Sequence, residues 1–413
     1  MTTYVPRLLD TELHEVLAAH PAVLVAGPRA CGKTTTTRRH CRSVLRLDVP
    51  AQAAVVRADA DAALRGLDEP VLVDEWQLVP EILGAVKRAV DDDPRPGRFV
   101  LTGSSQADLT TSGWPATGRI VRLAMYPLIG RERHGDPSLS SLVDRILDGG
   151  ADAFSDPAPH WNLHGYVSEA LTSGWPQALQ APSERARDRW LTGYVDHLVT
   201  REAPSLGVAR DPSRMRKYLH VLAANTAGVP THKRLYDAAN IDKATAASYD
   251  DLLDNLMITQ RVPAWAGSFM NRTMRLPKRY LIDPGLLRPL LRIDHRRPLR
   301  DGDLLGRVLD TLVAVQLRAE CAVSVVGADM FHLRDANGRH EIDLLIETRD
   351  GQLIAVEIKA TSAPSAADAR HLEWLHERLD SRLAAGLLVH TGPRFFRMTE
   401  RILAVPIASL WSS

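Results

Sequence analysis

The stretch "AVLVAGPRACGKTTTTRRH", residues 22–40, decides the fold of the N-terminal part of the chain. Its first five residues are apolar, which predicts a buried parallel strand. The strand runs into Gly-x4-Gly-Lys-Thr at residues 27–34, the pattern of a phosphate-binding loop that a helix follows. Glycines let successive backbone N–H groups point at phosphate oxygens, and the helix N-terminus adds a favourable dipole. The alternative is an ordinary glycine turn with a solvated lysine, and it explains neither the strand before the loop nor the helix after it.

The residue types in this loop predict ATP and Mg²⁺ as cofactors. Lys33 is expected to reach the β and γ phosphates, and the hydroxyl of Thr34 is a ligand suited to Mg²⁺. The predicted cofactor-binding residues are Gly27, Arg29, Ala30, Cys31, Gly32, Lys33, Thr34, Thr35 and, from a later strand, Ser104.

A second apolar strand lies in "PVLVDEWQ", residues 70–77, and Asp74 stands at its C-terminal end. An acid at this place can hold Mg²⁺ together with Thr34, and the neighbouring Glu75 can polarise the attacking water as a catalytic residue. The alternative is an acidic cap for the helix that begins near Pro80.

Three more strands complete the predicted core. "RFVLTGSSQ", residues 98–106, ends in hydroxyl side chains, of which Ser104 is expected to sense the γ-phosphate; ordinary turn residues are the alternative. "VLRLDVP" (44–50) and "GRIVRLAMYPL" (118–128) are also strands. The fold class is therefore α/β, with a parallel sheet of five strands alternating with helices.

Composition limits the classes of function. The chain has 413 residues, enough for two to four domains, and a formal net charge of +1, which gives no general attraction to nucleic acid or membrane. No apolar run approaches 18 residues, and the N-terminus lacks the pattern of a signal peptide. Three cysteines without a CxxC pair suit a reducing compartment. We expect a cytoplasmic protein that does not bind a membrane.

The middle of the chain predicts a boundary and a small helical module. Residues 134–160 are rich in Gly, Pro, Ser and Asp, as in a linker. Residues 228–265 predict two short helices and a β pair, the pattern of a winged helix. The second helix, 242–255, carries four aspartates and one lysine, which opposes contact with DNA phosphates. A packing or partner-docking module is therefore favoured over a DNA reader.

The segment "EIDLLIETRDGQLIAVEIKA", residues 341–360, predicts a β-hairpin with a turn at 349–351. Its apolar faces match when Leu344 pairs with Val356, and this register places Asp343 opposite Glu357. Opposed carboxylates repel each other, and a divalent cation between them would turn that repulsion into coordination. Lys359 could then orient a water or stabilise a phosphoryl transition state.

This arrangement resembles the D-x(n)-E-x-K signature of restriction-endonuclease-like folds. It makes Asp343, Glu357 and Lys359 candidate catalytic residues, and Asp343 and Glu357 candidate metal ligands, alongside Thr34 and Asp74 at the ATP site. Asp310 on the preceding predicted helix is a further candidate carboxylate. The alternative is a surface network in which Lys359 pairs with neighbouring acids.

Taken together, the motifs resemble the prokaryotic AAA-type ATPases that carry a C-terminal domain of unknown function. The resemblance rests on "YVPRLLD", "AGPRACGKTT", "VDEWQLVPEILGAVKRAVD", "FVLTGSS", "GRIVRLAMYPL" and "LPKRYLIDPGLL" in this order. It implies an AAA-like strand order, a winged helix and a restriction-endonuclease-like C-terminal domain. It also implies a catalytic arginine acting from a neighbouring subunit, for which Arg119 is the best match.

The predicted domains are an ATPase domain (1–135), a helical linker (136–205), a winged-helix-like region (206–295) and a nuclease-like domain (296–413). The predicted function is Mg²⁺-dependent ATP hydrolysis that couples nucleotide state to the C-terminal domain. Two alternatives stay open: an ATP-gated DNA or RNA nuclease, and a nucleotide-switched scaffold without nuclease activity. Nucleic acid and a second copy of the chain are the candidate partners besides ATP.

Overall fold

The computed structural model describes residues 4–103, 118–202, 211–266, 275–335 and 339–412. The chain divides into two compact units. The first comprises residues 1–127 with 255–257, and the second comprises residues 128–254 and 258–413. Among the described residues, no helix combines the length and the apolar character that crossing a bilayer requires.

The first unit is built on a parallel sheet of five strands in the order β2-β3-β4-β1-β5. The strand β4 lies between β1 and β3, as the AAA-like order requires, so the predicted parallel core is confirmed. The strands are β1 (Ala22–Ala26), β2 (Ser43–Arg46), β3 (Val71–Asp74), β4 (Phe99–Gly103) and β5 (Ile120–Ala124).

Both faces of this sheet are covered, which explains why its central strands are apolar throughout. Alternate residues along a strand point to opposite faces. Leu24 packs into one hydrophobic cluster with residues of α5, and Val23 packs into another with residues of α1. The helices of the unit are α1 (Leu9–Ala19), α2 (Lys33–Thr37), α3 (Pro50–Ala58), α4 (Ala60–Leu64) and α5 (Ile82–Asp92).

The second unit begins with helices and a short antiparallel strand pair. The helices are α6 (Gly130–His134), α7 (Leu142–Gly149), α8 (Leu163–Thr172), α9 (Pro176–Leu179), α10 (Glu184–His197), α11 (Pro212–Ala224), α12 (His232–Ala239) and α13 (Lys243–Asn255). The strands β6 (Thr259–Val262) and β7 (Lys278–Leu281) pair antiparallel after α13. Two helices followed by a β pair are the elements that the winged-helix prediction requires, and the name itself stays a prediction.

The rest of the second unit is a mixed sheet of six strands with helices. The strand order is β12-β13-β11-β10-β9-β8, in which β10, β11 and β13 are parallel and β8, β9 and β10 are antiparallel. The elements are α14 (Leu287–Leu291), α15 (Gly302–Ala322), β8 (Ala328–Arg334), β9 (Glu341–Thr348), β10 (Leu353–Lys359), α16 (Ala366–Leu379), β11 (Leu383–His390), β12 (Phe396–Arg397) and β13 (Ile402–Pro406). The predicted α/β class is confirmed for the chain as a whole.

Candidate functional site

The phosphate-binding loop joins β1 to α2 in a backbone conformation that its sequence makes possible. Gly32 has a φ of 106°, in the left-handed region that favours glycine. A side chain on Gly27 would collide with the carbonyl oxygen of Met125. The buried guanidinium of Arg7 donates to the carbonyl oxygens of Cys31 (3.0 Å) and Tyr126 (2.6 Å), so it connects the loop to the chain beyond β5.

The side chains predicted to bind phosphate and metal converge at the C-terminal edge of the sheet. The ammonium of Lys33 is buried and donates to the carbonyl oxygens of Gly27 (2.9 Å) and Pro28 (3.0 Å). The Thr34 hydroxyl donates to Asp74 Oδ1 at 2.8 Å. Lys33 and Thr34 begin α2, so their positions follow from the loop, whereas Asp74 is placed by β3.

Asp74 is held from two sides. Its Oδ1 also accepts from the hydroxyl of Thr102 at 2.5 Å, and Thr102 lies in β4, level with Asp74 in the parallel register. The strand β4 therefore supplies a hydroxyl that fixes the orientation of the Asp74 carboxylate. The hydroxyl that the sequence predicts to sense the γ-phosphate belongs to Ser104, which lies outside the described residues together with Ser105.

Glu75 follows Asp74 and has a φ of 56°, so the chain turns sharply at the end of β3. This turn directs Glu75 away from the strand, and its Oε2 accepts from the Nε2 of Gln77. The Gln77 amide limits the positions that the carboxylate can take. The role of Glu75 as the residue that polarises water remains a prediction.

The residues at this edge fit Mg²⁺. A hydroxyl and a carboxylate already 2.8 Å apart, Thr34 and Asp74, supply the hard oxygen ligands that Mg²⁺ prefers. Arg29, Ala30 and Cys31 lie in the loop itself, and Thr35 lies in the first turn of α2. The predicted nucleotide-binding residues that the structure describes are therefore contiguous around Lys33.

Arg119 is not part of this group. It immediately precedes β5, whose first residue, Ile120, is level with Ala22 at the start of β1. Lys33 follows the opposite end of β1, and five residues of strand span about 16 Å. Arg119 forms an ion pair with Asp91. It therefore cannot reach the nucleotide site of its own unit, and only action on a neighbouring subunit remains as a prediction.

In the second unit, the predicted hairpin of β9 and β10 has the predicted register. Leu344 pairs with Val356, and Ile346 with Ile354. Backbone pairing ends there, and Asp343 Oδ2 accepts from the backbone N–H of Ile358 at 2.9 Å. The Asp343 carboxylate thus accepts the N–H of β10 that a backbone carbonyl of β9 would otherwise accept. The sequence did not predict this contact.

Lys359 and Glu357 are joined as an ion pair, with Nζ and Oε1 at 2.7 Å. Burial, and then the charge of Asp343, raise the pKa of Glu357 to about 7. Burial opposes ionisation of Asp343, but the ammonium of Lys278 and the Ile358 amide hold its pKa below the usual range. The surroundings therefore shift the pKa values of these two carboxyl groups in opposite directions.

Lys278 is the residue of this cluster that sequence reasoning missed. Its buried ammonium lies 2.6 Å from Asp310 Oδ2 and 3.0 Å from Asp343 Oδ1. The expected relief of the Asp343–Glu357 repulsion by a metal remains a prediction, and in this structure the ammonium of Lys278 already compensates the charge of Asp343. The one indication of Lys278 in the sequence is its place in "LPKRYLIDPGLL", a stretch that contributes to the family resemblance.

A divalent metal does not fit this cluster as it stands. Among the residues that the structure describes, no group of three or more His, Cys, Asp or Glu side chains is placed to hold a metal ion. The ammonium of Lys278 lies between the carboxylates that would be its ligands. The metal-binding and catalytic roles of Asp343, Glu357 and Lys359 therefore remain predictions, and no reaction step is assigned to them.

The acidic helix α13 is largely neutralised within its own unit. Asp250 is buried and accepts two hydrogen bonds from Arg279, each 2.7 Å long. Arg261 forms ion pairs with Asp251 and Asp254. Most of the acids that opposed DNA binding in the sequence therefore hold the strand pair against the helix.

Three regions of the chain match the models of known protein families. Residues 19–134 match the model of an AAA domain, residues 164–297 match a domain of unknown function (DUF8612), and residues 305–410 match another (DUF4143). An uncharacterized protein of Mycobacterium tuberculosis (strain ATCC 25618 / H37Rv) is 29% identical over 397 residues, which cover 95% of this chain and 82% of that protein. An uncharacterized protein of Mycobacterium bovis gives the same values.

A solved structure, the Walker-type ATPase of Pyrococcus abyssi, is 16% identical with a TM-score of 0.42, and the match covers 69% of this chain and 94% of that one. The matched AAA model coincides with the unit in which Lys33, Thr34 and Asp74 meet. The resemblance found in the sequence is confirmed: the N-terminal region of this chain matches an AAA domain, and its C-terminal region matches a domain of unknown function (DUF4143).

Proposed function

We propose that the chain binds and hydrolyses ATP in a Mg²⁺-dependent reaction, and that its nucleotide state controls the C-terminal domain. The observation that carries the proposal is the meeting of Lys33, Thr34 and Asp74 at one edge of the parallel sheet, with Thr34 bonded to Asp74 at 2.8 Å. A phosphate-binding loop and an acid from a separate strand are the two parts that P-loop ATP hydrolysis requires.

Each residue of the site has a distinct task in this proposal. The N–H groups of the loop and the ammonium of Lys33 bind the phosphates, and Thr34 and Asp74 hold Mg²⁺. When bound, Mg²⁺ neutralises charge that develops on the phosphate oxygens. Glu75 orients and polarises the attacking water, and Gln77 restricts the position of Glu75.

The proposal is tested by separating binding from hydrolysis. Glu75→Gln keeps the shape of the side chain but removes its basic oxygen, so ATP affinity should stay within about twofold while turnover falls at least about 100-fold. Glu81→Gln, at an exposed acid on the same connection, is the matched control and should hydrolyse ATP like the unmodified chain. Unchanged turnover in Glu75→Gln would remove Glu75 from the mechanism.

An ATP-gated nuclease is the second candidate, because Asp343, Glu357 and Lys359 lie at the same end of the β9–β10 hairpin. Lys278 argues against metal-dependent cleavage in the folded state. A nucleotide-switched scaffold is the remaining alternative. A plasmid-nicking assay with Mg²⁺ and ATP distinguishes the two when the unmodified chain is compared with Asp343→Asn. Nicking by the unmodified chain that the variant loses supports the nuclease. No nicking by the unmodified chain supports the scaffold.

The partners proposed are nucleic acid, through the second unit, and a second copy of the chain. The three cysteines are free thiols, which supports a cytoplasmic location. Measuring ATP turnover with single-stranded DNA, double-stranded DNA and RNA tests the first partner. A polymer that binds the second unit and is coupled to the ATPase should change turnover, whereas rates that equal the rate without nucleic acid for all three polymers argue against this partner.

A further inference from the structure

The acid cluster of the second unit, formed by Asp310, Asp343 and Glu357, contains a cation of the protein itself. Lys278 Nζ donates to Asp310 Oδ2 (2.6 Å), to Asp343 Oδ1 (3.0 Å) and to the backbone oxygen of Asp343 (3.3 Å). An ammonium has three N–H donors and no acceptor, so these three oxygens use its full capacity. The lysine is almost completely buried, with 2% of its surface exposed.

The oxygens of Asp310 and Asp343 all have partners. Asp310 Oδ1 accepts from the Tyr280 hydroxyl at 2.7 Å, and Asp343 Oδ2 accepts from the Ile358 amide at 2.9 Å. The other two oxygens accept from Lys278. Every carboxylate oxygen of Asp310 and Asp343 thus accepts a hydrogen bond from the protein, as expected for buried polar groups with a structural role.

The position of Lys278 follows from strand geometry. Successive side chains of β7 point to opposite faces, so Lys278 and Tyr280 share one face and both contact Asp310. Arg279, between them, points the other way and pairs with the buried Asp250 of α13. Both faces of the strand are therefore fixed by buried ion pairs, and Lys278 is held in the cluster by the same register that fixes Arg279.

The charge of the cluster supports the same role. The ammonium of Lys278 forms ion pairs with the carboxylates of both Asp310 and Asp343. The three oxygens lie 2.6–3.3 Å from Nζ, whereas Mg²⁺ requires oxygens at about 2.0–2.1 Å. A divalent ion placed beside this ammonium would meet an adjacent positive charge, and moving the ammonium aside would break its hydrogen bonds to Asp310 and Asp343.

Glu357 shows what would change without the lysine. Its Oε1 accepts from Lys359, while its buried Oε2 has no hydrogen-bond partner among the described residues. Three carboxylates without Lys278 would be a set of hard oxygen ligands for a divalent ion.

We propose that Lys278 is the permanent cation of this acid cluster, in the position that a divalent metal takes in a nuclease, and that the folded domain therefore binds no metal there. The inference concerns the second unit alone and does not depend on ATP hydrolysis. It predicts that the cluster becomes a divalent-cation site when Lys278 is replaced by a neutral residue of similar size.

The test uses Mn²⁺ as the probe and the full chain carrying Asp74→Asn, which removes the metal ligand of the P-loop. Free Mn²⁺ is counted by electron paramagnetic resonance. With Lys278 present, no site tighter than about 1 mM is expected; Lys278→Met should create one site at least tenfold tighter. Adding Asp343→Asn to Lys278→Met should abolish it. Lys233→Met, at an exposed lysine that pairs with Asp237, is the matched control and should create no site.

Two results would overturn the proposal: a Mn²⁺ site in the chain that retains Lys278, or a folded Lys278→Met chain that gains none. Because Lys278→Met leaves two acids without their partner and can fail to fold, a second measurement uses Asp343→Asn in EDTA. A permanent Lys278–Asp343 pair predicts a melting temperature lowered by several degrees. An unchanged or raised melting temperature, as expected for an acid strained by lack of metal, would equally refute the proposal.

Discussion

Replacing Arg7 should weaken ATP binding although no motif assigns the residue to the nucleotide. Arg7 is buried and lies before the first strand, in the stretch "YVPRLLD". Its guanidinium donates to the carbonyl oxygen of Cys31, inside the phosphate-binding loop, and to that of Tyr126. The peptide that follows Cys31 carries the N–H of Gly32, so the orientation of a phosphate-binding donor depends on this contact.

The size of the effect follows from the two hydrogen bonds. Each bond from a charged donor contributes about 1.5–3 kcal/mol, and Arg7→Met leaves two carbonyls without that donor, so the first unit should lose about 3–6 kcal/mol of unfolding free energy. The affinity for ATP should fall about tenfold, because a less ordered loop needs to cost only about 1.4 kcal/mol of binding free energy to produce that change. Arg7→Lys, which can still reach one carbonyl, should lie between.

The assay is calorimetric ATP binding with Mg²⁺, combined with thermal melting of the same preparations. Arg38→Met, at an exposed arginine just after α2, is the matched control and should change neither quantity. A folded Arg7→Met chain that binds ATP with the original affinity would refute the idea that Arg7 orients the loop. A loss of stability with unchanged affinity would limit Arg7 to a role in folding.

Three further predictions address the loop, the subunit contact and pH. Gly27→Ala should lower ATP affinity at least about tenfold in the same calorimetric assay, because the added methyl collides with the Met125 carbonyl and displaces the loop. Mixing Arg119→Ala with Glu75→Gln chains should restore part of the ATPase rate if Arg119 acts across subunits; no recovery in oligomers shown to be mixed would exclude it. Burial raises the pKa of Glu320 from 4.5 to about 7, so its contribution to stability is complete below pH 4.5 and is lost as pH rises through 7. Between pH 5 and 8, the free energy of unfolding should therefore fall by on the order of 2–3 kcal/mol more in the unmodified chain than in Glu320→Gln, as measured by urea unfolding; the same pH dependence in both chains would contradict this.

Local patterns in the sequence predicted the first unit well. The apolar run 22–26, the glycines of the loop and Asp74 after its strand are each defined by neighbours within a few residues, and parallel strands bring their C-terminal ends together automatically. The register of the β9–β10 hairpin was also predictable, because slipping by one residue would exchange its buried and exposed faces.

Contacts between distant segments were not predictable in the same way. Lys278 lies 65 residues before Asp343 and in a different matched region, so no spacing rule relates the two. The place of Arg119 was not predictable either: its Gly-Arg pair matches the family pattern, and the parallel register shows that it lies at the edge of the sheet away from Lys33 of its own unit, which leaves action across subunits as a prediction. One-dimensional patterns specify neighbours along the chain, whereas these outcomes depend on which strands pair.

The central claim, that the first unit is an ATP site centred on Lys33, is tested most directly by comparing MgATP binding to the unmodified chain and to Lys33→Ala by calorimetry. Lys33 supplies the cation of the phosphate-binding motif, so its removal should weaken binding at least about 100-fold, or about 2.7 kcal/mol. Because Lys33→Ala also leaves the carbonyl oxygens of Gly27 and Pro28 without their donor, thermal melting without nucleotide is measured alongside to show that the variant is folded. Equal MgATP affinity in the two chains would contradict the assignment of the nucleotide site.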